Sequence, residues 1–106
     1  MKQFDIYRNT SPKTKRQLPY YIIVQHDSYE DLHTRAIMPL VIYNKIPQWH
    51  SNIAPRVNIE FQALTFYAPM ISHIDISLIN SGDFICNLNT ARRDIVASID
   101  ALITNT

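Results

Sequence analysis

The 106-residue chain contains very little glycine and very little cysteine. Gly82 is the only glycine. A P-loop or a dinucleotide-binding fingerprint needs several glycines so that the backbone can approach phosphate closely, and both classes of site are therefore excluded. We expect the turns to be made instead by Pro, Asn, Asp and Ser. Cys86 is the only cysteine, so no intramolecular disulfide can form, which fits a reducing compartment.

The chain also lacks a charge excess and a long apolar run. Ten basic and nine acidic side chains give a net charge of +1, so no strong field draws the protein towards nucleic acid or an anionic membrane. No apolar run approaches the roughly 20 residues that span a bilayer, and the first residues lack the apolar segment of a secretory signal. We therefore expect a cytoplasmic protein without membrane contact. We interpret the one basic cluster as a solvated turn rather than a polyanion contact; it contains Lys13, Lys15 and Arg16.

Short apolar segments predict a sheet. Hydrophobic residues make up 46% of the chain and charged residues 18%, which is typical of a folded chain, and residues 1–106 are interpreted as one domain. The segment around Pro39 is expected to be interrupted there, because proline cannot donate to a ladder. Alternating or β-branched patterns predict strands at Phe4–Arg8, Tyr20–Val24, Ala36–Tyr43, Val57–Phe61, Ala63–Tyr67 and Ile71–Ile79. Polar or proline-rich segments predict loops over residues 9–15, 26–33, 45–55 and 80–83.

The last stretch of the chain predicts an amphipathic helix over Asn89–Thr104, with Asn89 as its N-cap. Short strands followed by one helix, without repeats, indicate an α+β domain built on an antiparallel sheet rather than a parallel βαβ fold. We expect the apolar face of the helix to pack on the sheet. This face consists of Leu88, Ala91, Ile95, Ile99, Leu102 and Ile103.

The candidate catalytic and metal-binding residues do not form a recognisable set. A zinc site needs three or four convergent ligands, and the four histidines have no such spacing. His73 and Asp75 share a predicted strand face, but a catalytic dyad also needs a nucleophile and a pocket, so we interpret them as an exposed polar face. Cys86 is interpreted as a small buried hydrophobe. We therefore expect no catalytic residue, no metal and no cofactor, and a binding protein rather than an enzyme. The histidines are His26, His33, His50 and His73.

Two aromatic features are candidate contact points. Trp49 lies in a proline-flanked loop; packing is the default for tryptophan, and an exposed Trp49 would be an interaction anchor. The neighbouring Tyr20 and Tyr21 should place one ring on each face of the sheet. At least one of these rings is a candidate for a subunit interface.

Four segments, in consistent order, resemble the CcdB family, the DNA gyrase poisons of bacterial toxin–antitoxin modules. Gln3–Asn9 resembles the first strand of that family, and Val24-Gln-His-Asp27 resembles its Val-Gln-Ser-Asp segment. Thr34-Arg-Ala-Ile-Met-Pro-Leu40 is similar to its Arg-x-Val-Ile-Pro-Leu segment, and Arg93–Thr104 is similar to its C-terminal helix. The resemblance spans nearly the whole chain and is loose between residues 41 and 88.

This resemblance implies a fold and a function. The fold is a small antiparallel β-barrel of the SH3-like, CcdB/MazF type with one C-terminal α-helix, assembled as a two-fold homodimer. The function is that of a type II toxin that binds the DNA gyrase A subunit and traps the gyrase–DNA cleavage complex. A CcdA-like antitoxin would neutralise it, and the two together would repress their own operon. Contact with DNA would occur only through that complex.

The resemblance also implies a set of gyrase-binding residues. The family's Trp-Gly-Ile or Thr-Gly-Ile tail corresponds to Thr104, Asn105 and Thr106. Asparagine tolerates the left-handed backbone that glycine adopts, whereas losing the terminal isoleucine removes about 1–2 kcal/mol of apolar burial. The loop pair carries a hydroxyl and an aromatic ring where the family usually has aliphatic residues. The predicted set is Ser28, Tyr29, Asp100, Ile103, Thr104, Asn105 and Thr106.

Two alternatives remain at this point. The altered tail favours a non-toxic CcdB-like binding protein that acts as an antitoxin sink. A MazF-type endoribonuclease, which shares the barrel, is disfavoured because that family carries a Gly-Asp-containing first strand and a Gly-x-Arg-Pro segment. This chain has neither.

Overall fold

A computed structural model of the chain describes residues 1–42 and 56–103 and shows a curled antiparallel sheet with one helix. The elements among the described residues are β1 (Asp5–Arg8), β2 (Tyr20–Ile23), β3 (Thr34–Ile42), β4 (Arg56–Ile59), β5 (Gln62–Phe66), β6 (Ser72–Asp75), β7 (Phe84–Asn87) and α1 (Arg92–Ile103). The strand order is β4-β5-β3-β2-β1-β7, and β6 pairs with β3 off this path. The predicted α+β fold, a small barrel-like sheet with one C-terminal helix, is confirmed.

The central strand β3 changes partner halfway along its length. Residues 34–37 pair with β6, whereas residues 40–42 pair with β5. Pro39 lies between these two partners, and its carbonyl accepts from the Tyr67 N–H at 2.9 Å. The Pro39 nitrogen, which carries no hydrogen, therefore faces the junction between β6 and β5. No ladder hydrogen bond is lost there. The predicted interruption at Pro39 is wrong, because β3 runs through it.

The main core lies between the sheet and α1. Ile95 of α1 is fully buried, and Ile99 packs against the same cluster. Burying one such side chain contributes about 1.5–3 kcal/mol. The predicted packing of the apolar helix face is confirmed for Ile95 and Ile99. It is wrong for Leu102 and Ile103, which are 43% and 75% exposed. The buried residues of this cluster are Phe4, Ile6, Tyr20, Ile22, Met38, Leu40, Ile59, Leu64, Phe66, Ala68 and Ile95.

A second, smaller cluster lies on the other face of the sheet and is rich in tyrosine. The rings of Tyr7 and Tyr21 stack with centroids 5.8 Å apart, and Phe84 meets Tyr7 edge-on at 5.7 Å. Tyr20 belongs to the main core and Tyr21 to this second cluster, which confirms the prediction of one ring on each face. Burial, aided by the nearby Tyr7 and Asp83, raises the pKa of Tyr21 to about 12.

In the second half of the chain, one strand prediction is wrong and one strand was missed. The predicted strand Ile71–Ile79 ends at Asp75, whose side chain accepts from the Ser77 N–H at 2.8 Å and begins a 3-10 turn. This local bond replaces further strand pairing. β7 was not predicted, although its residues pair with β1 on the sheet edge.

The predicted start of the helix is also wrong. Asn89 is not an N-cap; it opens a 3-10 turn, Asn89–Ala91, that precedes α1. The Asn89 N–H donates to the side-chain oxygen of Asn87 at 2.9 Å. The α-helix therefore begins at Arg92, and the predicted last helical residue, Thr104, lies outside the described residues.

The polar loops behave largely as predicted. Asn9 holds the loop after β1 by donating to the Leu18 carbonyl at 2.8 Å, and the Asn80 side chain accepts from the Gly82 N–H at 2.8 Å. The predicted irregular segment 45–55, with Trp49 and His50, lies outside the described residues. No helix in the described ranges has the length and apolarity to cross a bilayer.

Candidate functional site

The predicted loop pair lies in a 3-10 turn, Asp27–Tyr29, between β2 and β3. The Ser28 N–H donates to the ring nitrogen Nδ1 of His26 at 3.0 Å, and the Ser28 hydroxyl lies 2.6 Å from the same nitrogen. The side chain of Tyr29 is 58% exposed. An exposed ring on a capped turn is suited to protein contact, because it offers a large surface with few rotatable bonds.

A buried arginine holds this loop from behind. The Arg35 guanidinium donates to the carbonyl oxygens of Glu30 at 2.6 Å, Leu32 at 2.6 Å and Thr34 at 2.9 Å. Arg35 is only 6% exposed. Because charge-assisted bonds in a buried setting are stronger than neutral ones, Arg35 fixes the path of the chain that follows Tyr29.

Two further side chains tie the loop to the sheet. The Gln25 amide donates to the Tyr29 carbonyl at 3.2 Å, while its oxygen accepts from the Ala36 N–H at 3.1 Å. The Asp27 carboxylate accepts from the Gln3 N–H at 2.8 Å. These bonds connect the turn to β3 and to the residues before β1. Ser28 and Tyr29 are therefore presented by a bonded scaffold.

The predicted helix pair lies one turn apart on α1. Asp100 and Ile103 are three residues apart, which places them on the same side of the helix. Both are exposed, and Ile103 is 75% exposed. The helix therefore carries an acidic group and a large apolar side chain at its described end. The remaining predicted contact residues, Thr104, Asn105 and Thr106, lie outside the described residues.

Contacts connect the end of β2, which precedes the loop pair, to the start of the helix. The Phe4 N–H donates to the Ile23 carbonyl at 2.6 Å, and the Arg92 guanidinium lies 5.7 Å from the centre of the Phe4 ring. Arg92 is the first residue of α1 and Ile103 the last described one, which is about 16 Å along a helix axis. The four described site residues therefore form two pairs, one on the loop and one at the helix end.

A third feature was not predicted: the hairpin turn between β4 and β5. Ile59 pairs with Gln62, which leaves Glu60 and Phe61 as a two-residue turn with φ of 49° and 66°. This left-handed backbone is typical of Gly, Asn and Asp, and it costs other residues about 1–2 kcal/mol each. The expectation that Pro, Asn, Asp and Ser make the turns is wrong here. The ring of Phe61 is fully exposed.

Glu60 ties this turn to the hairpin of β1 and β2. Its carboxylate accepts from the Arg8 guanidinium at 3.0 and 3.2 Å and from the Tyr20 hydroxyl. The bonds from Arg8 and then from Tyr20 lower the pKa of Glu60 below its ordinary value. Burial, followed by the bond to Glu60, raises the pKa of Tyr20. The three side chains form one charged and hydrogen-bonded contact.

The residues considered for catalysis lie apart from these features. His73 and Asp75 are both exposed on β6, as predicted. Cys86 packs against the main core, and burial raises the pKa of its thiol, so the thiolate is disfavoured. No three His, Cys, Asp or Glu side chains within residues 1–42 and 56–103 are grouped as metal ligands.

Comparison with protein families shows the family to which the chain belongs. The family model described as CcdB protein matches residues 3–105 of this 106-residue chain. The chain belongs to the CcdB family. This is a family of toxin–antitoxin gyrase poisons, and a poison of this kind is not itself an enzyme. No curated protein matches the chain.

The match to the CcdB family model includes residues 41–88, where the resemblance was loose. It also includes Thr104 and Asn105, two of the three predicted tail residues. The scaffold residues Gln25, Asp27 and Arg35 lie inside the segments that resemble CcdB, but their role in holding the loop was not predicted. Phe61 was missed for a different reason. The predicted strands left only Gln62 between them, too few residues for a hairpin turn, and that shortage was the available signal.

Proposed function

We propose that this CcdB-family chain is the toxin of a type II toxin–antitoxin module and acts on the DNA gyrase A subunit. It binds gyrase while the DNA is cleaved and traps that complex, without chemistry of its own. The observation that carries this proposal is the exposed Ile103 at the described end of α1. Ile95 and Ile99, earlier on the same apolar side of the helix, pack in the core, whereas Ile103 at its described end is exposed. The end of a packed helix therefore presents an apolar contact.

The proposed contact residues form a helix-end group and a loop group. Ile103 supplies apolar contact area, and Asp100 supplies a charge that fixes orientation. Tyr29 offers a second anchor, and Ser28 turns its hydroxyl towards His26. The helix-end group continues through Thr104, Asn105 and Thr106.

We further propose a two-fold homodimer, because gyrase is itself two-fold and an isologous inhibitor matches that symmetry. The tyrosine face of the sheet supports this proposal. Phe84 at its edge is 45% exposed, and a groove on this face is lined by Tyr21, Ile37, Met70 and Ile74. Partly exposed apolar residues around a groove are typical of a surface that a second chain covers.

The remaining parts of the proposal concern regulation and place. A CcdA-like antitoxin neutralises the toxin through a disordered segment that folds on it. The toxin–antitoxin complex represses its own operon and is the only form that contacts DNA. The protein works in the cytoplasm, where its gyrase target lies.

Expression of matched variants tests the function. Ile103→Ser removes the exposed apolar anchor and should relieve growth arrest and reduce the gyrase–DNA breaks recovered from cells. Val96→Ser is the control, because Val96 is a partly exposed apolar residue on the same helix, at 41%. Equal breaks from both variants would contradict the assignment of Ile103. Changing Asn105 and Thr106 to Gly and Ile should strengthen growth arrest, as the family tail implies.

The altered tail supports one second candidate, a non-toxic antitoxin sink. Thr106 replaces the family's terminal isoleucine. A sink would bind the antitoxin and produce no gyrase–DNA breaks at any expression level. Recovery of such breaks from cells that express the unaltered chain would exclude it.

A further inference from the structure

The Glu60–Phe61 turn is not explained by the fold that contains it. Phe61 buries none of its ring, so apolar burial does not account for the residue. Its φ of 66° is unfavourable for a bulky side chain, so backbone preference does not account for it either. Asparagine or glycine would suit the turn better on both counts. Strained positions of this kind cluster at functional sites such as ligand clamps and switch regions.

The turn is held in place. Glu60 is bound by two guanidinium nitrogens of Arg8 and by the Tyr20 hydroxyl. Arg8 also lies 5.8 Å from the centre of the Tyr20 ring. A single aromatic ring on a fixed support is well suited to be a binding anchor, because little conformational freedom is lost when it docks.

The surroundings of the turn are positively charged. A cleft beside it is lined by Arg8, Lys15, Tyr20, Glu60 and Gln62, with Asn9 and Pro19. Residues 6–20 contain four basic side chains and no acidic one, although the whole chain has a net charge of only +1. The chemistry complementary to this surface is an acidic segment that also carries apolar side chains.

The turn lies at the opposite end of the β1–β2 hairpin from the proposed gyrase-binding loop. Glu60 contacts Arg8 and Tyr20, at the end of β1 and the start of β2. The loop with Tyr29 follows Ile23 at the other end. A four-residue strand is about 13 Å long, so the loop pair does not account for Phe61.

We propose that the Glu60–Phe61 turn is a docking site for an acidic, apolar-bearing segment of the antitoxin. Phe61 inserts among the apolar side chains of that segment, and Lys15 faces its carboxylates. The proposal rests on the toxin–antitoxin function proposed above. Beyond that function, the proposal specifies which surface of the toxin binds the antitoxin and the chemistry of the antitoxin segment that binds there.

Phe61→Asn tests the docking site, because asparagine keeps the left-handed turn and removes the ring. The probe is the full-length product of the reading frame adjacent to this one in its operon. We expect its affinity for the Phe61→Asn chain to fall at least tenfold, while binding to the gyrase A dimerisation fragment is unchanged. The control is Leu78→Asn, since Leu78 is 71% exposed and lies away from the cleft; it should leave both affinities unchanged.

Lys15→Glu provides a second variant at an exposed position that does not shape the turn. It should weaken antitoxin binding at least threefold and make the remaining affinity less sensitive to salt.

Each outcome decides between the claims. If the unaltered chain binds the probe and both variants bind it equally well, the docking site is overturned and the toxin–antitoxin function stands. If Phe61→Asn loses gyrase binding but keeps the probe, the turn serves gyrase and the antitoxin assignment is wrong. If the unaltered chain does not bind the probe, the partnership fails, and the docking site fails with it.

Discussion

The two ends of the β1–β2 hairpin differ in how the neighbouring loop or turn is stabilised. At one end, the loop that presents Tyr29 is held by Gln25, Asp27 and Arg35, whose bonds reach backbone groups of the loop, of β3 and of the residues before β1. At the other end, the Glu60–Phe61 turn adopts a left-handed backbone and exposes a whole aromatic ring. Contacts within the chain explain the first end, whereas the exposed ring and left-handed backbone of the second led us to propose a partner there.

This difference shows how each end would respond to change. The bonded loop should lose stability whenever a scaffold side chain is removed, because backbone groups of the loop and of its neighbours would lose their hydrogen-bond partners. The strained turn should gain stability when Phe61 is replaced, because an unfavourable conformation would be relieved. A residue whose replacement stabilises a fold and weakens its function is typical of a binding site.

The largest expected effect is that of Arg35→Met. This change removes the buried donor to three carbonyl oxygens and should lower the free energy of unfolding by about 3 kcal/mol. Amide exchange near Tyr29 should accelerate as well. Urea denaturation and hydrogen exchange measure the two effects. Arg93→Met on the exposed side of α1 is the control, expected within about 0.5 kcal/mol; equal effects of the two changes would contradict the role of Arg35.

The next effect has the opposite sign. Phe61→Asn should raise the free energy of unfolding by about 1 kcal/mol, because asparagine tolerates the left-handed backbone. Thermal unfolding should shift upwards by about 4 °C for a chain of this size. Leu78→Asn also removes an exposed apolar side chain, but Leu78 does not have a positive φ, so the unfolding temperature of this variant should not change. A lower unfolding temperature for Phe61→Asn would show that the ring stabilises the monomer.

The smallest effect concerns pH. Because the pKa of Glu60 is lowered in the folded chain, its contact with Arg8 and Tyr20 contributes fully above the ordinary carboxyl pKa of 4.5. That contribution is lost as the pH falls towards the lowered value. The unaltered chain should therefore lose more stability than Glu60→Gln as the pH falls below the ordinary carboxyl pKa. Parallel stability curves in urea would contradict the contact.

The parts of the fold that were predictable have strong local patterns. Ile95 and Ile99 mark one face of α1, and the apolar run at Tyr20–Ile23 is buried on both faces of the sheet. β7 was missed because its four residues are defined by pairing with β1, about eighty positions earlier in the chain. The end of β6 was missed because the Asp75 side chain competes with the ladder.

In the candidate site, too, some residues could be predicted from the sequence and others depend on contacts between distant parts of the chain. The exposure of Tyr29 and Ile103 agrees with the surface positions that the family resemblance implied, while their contact with gyrase stays a prediction. Phe61 could not be predicted from local preference, because both residues of its turn are unsuited to it. A contact between Glu60 and Arg8, which lie far apart in sequence, holds that turn in place.

The most direct test of the proposed function is a calorimetric titration of the unaltered chain into the gyrase A dimerisation fragment. We expect saturable binding with one toxin dimer per two-fold gyrase fragment. We further expect that Ile103→Ser weakens this binding at least tenfold. A folded chain that releases no heat and shows no saturation would contradict gyrase as the target and would leave the antitoxin sink as the function of this CcdB-family protein.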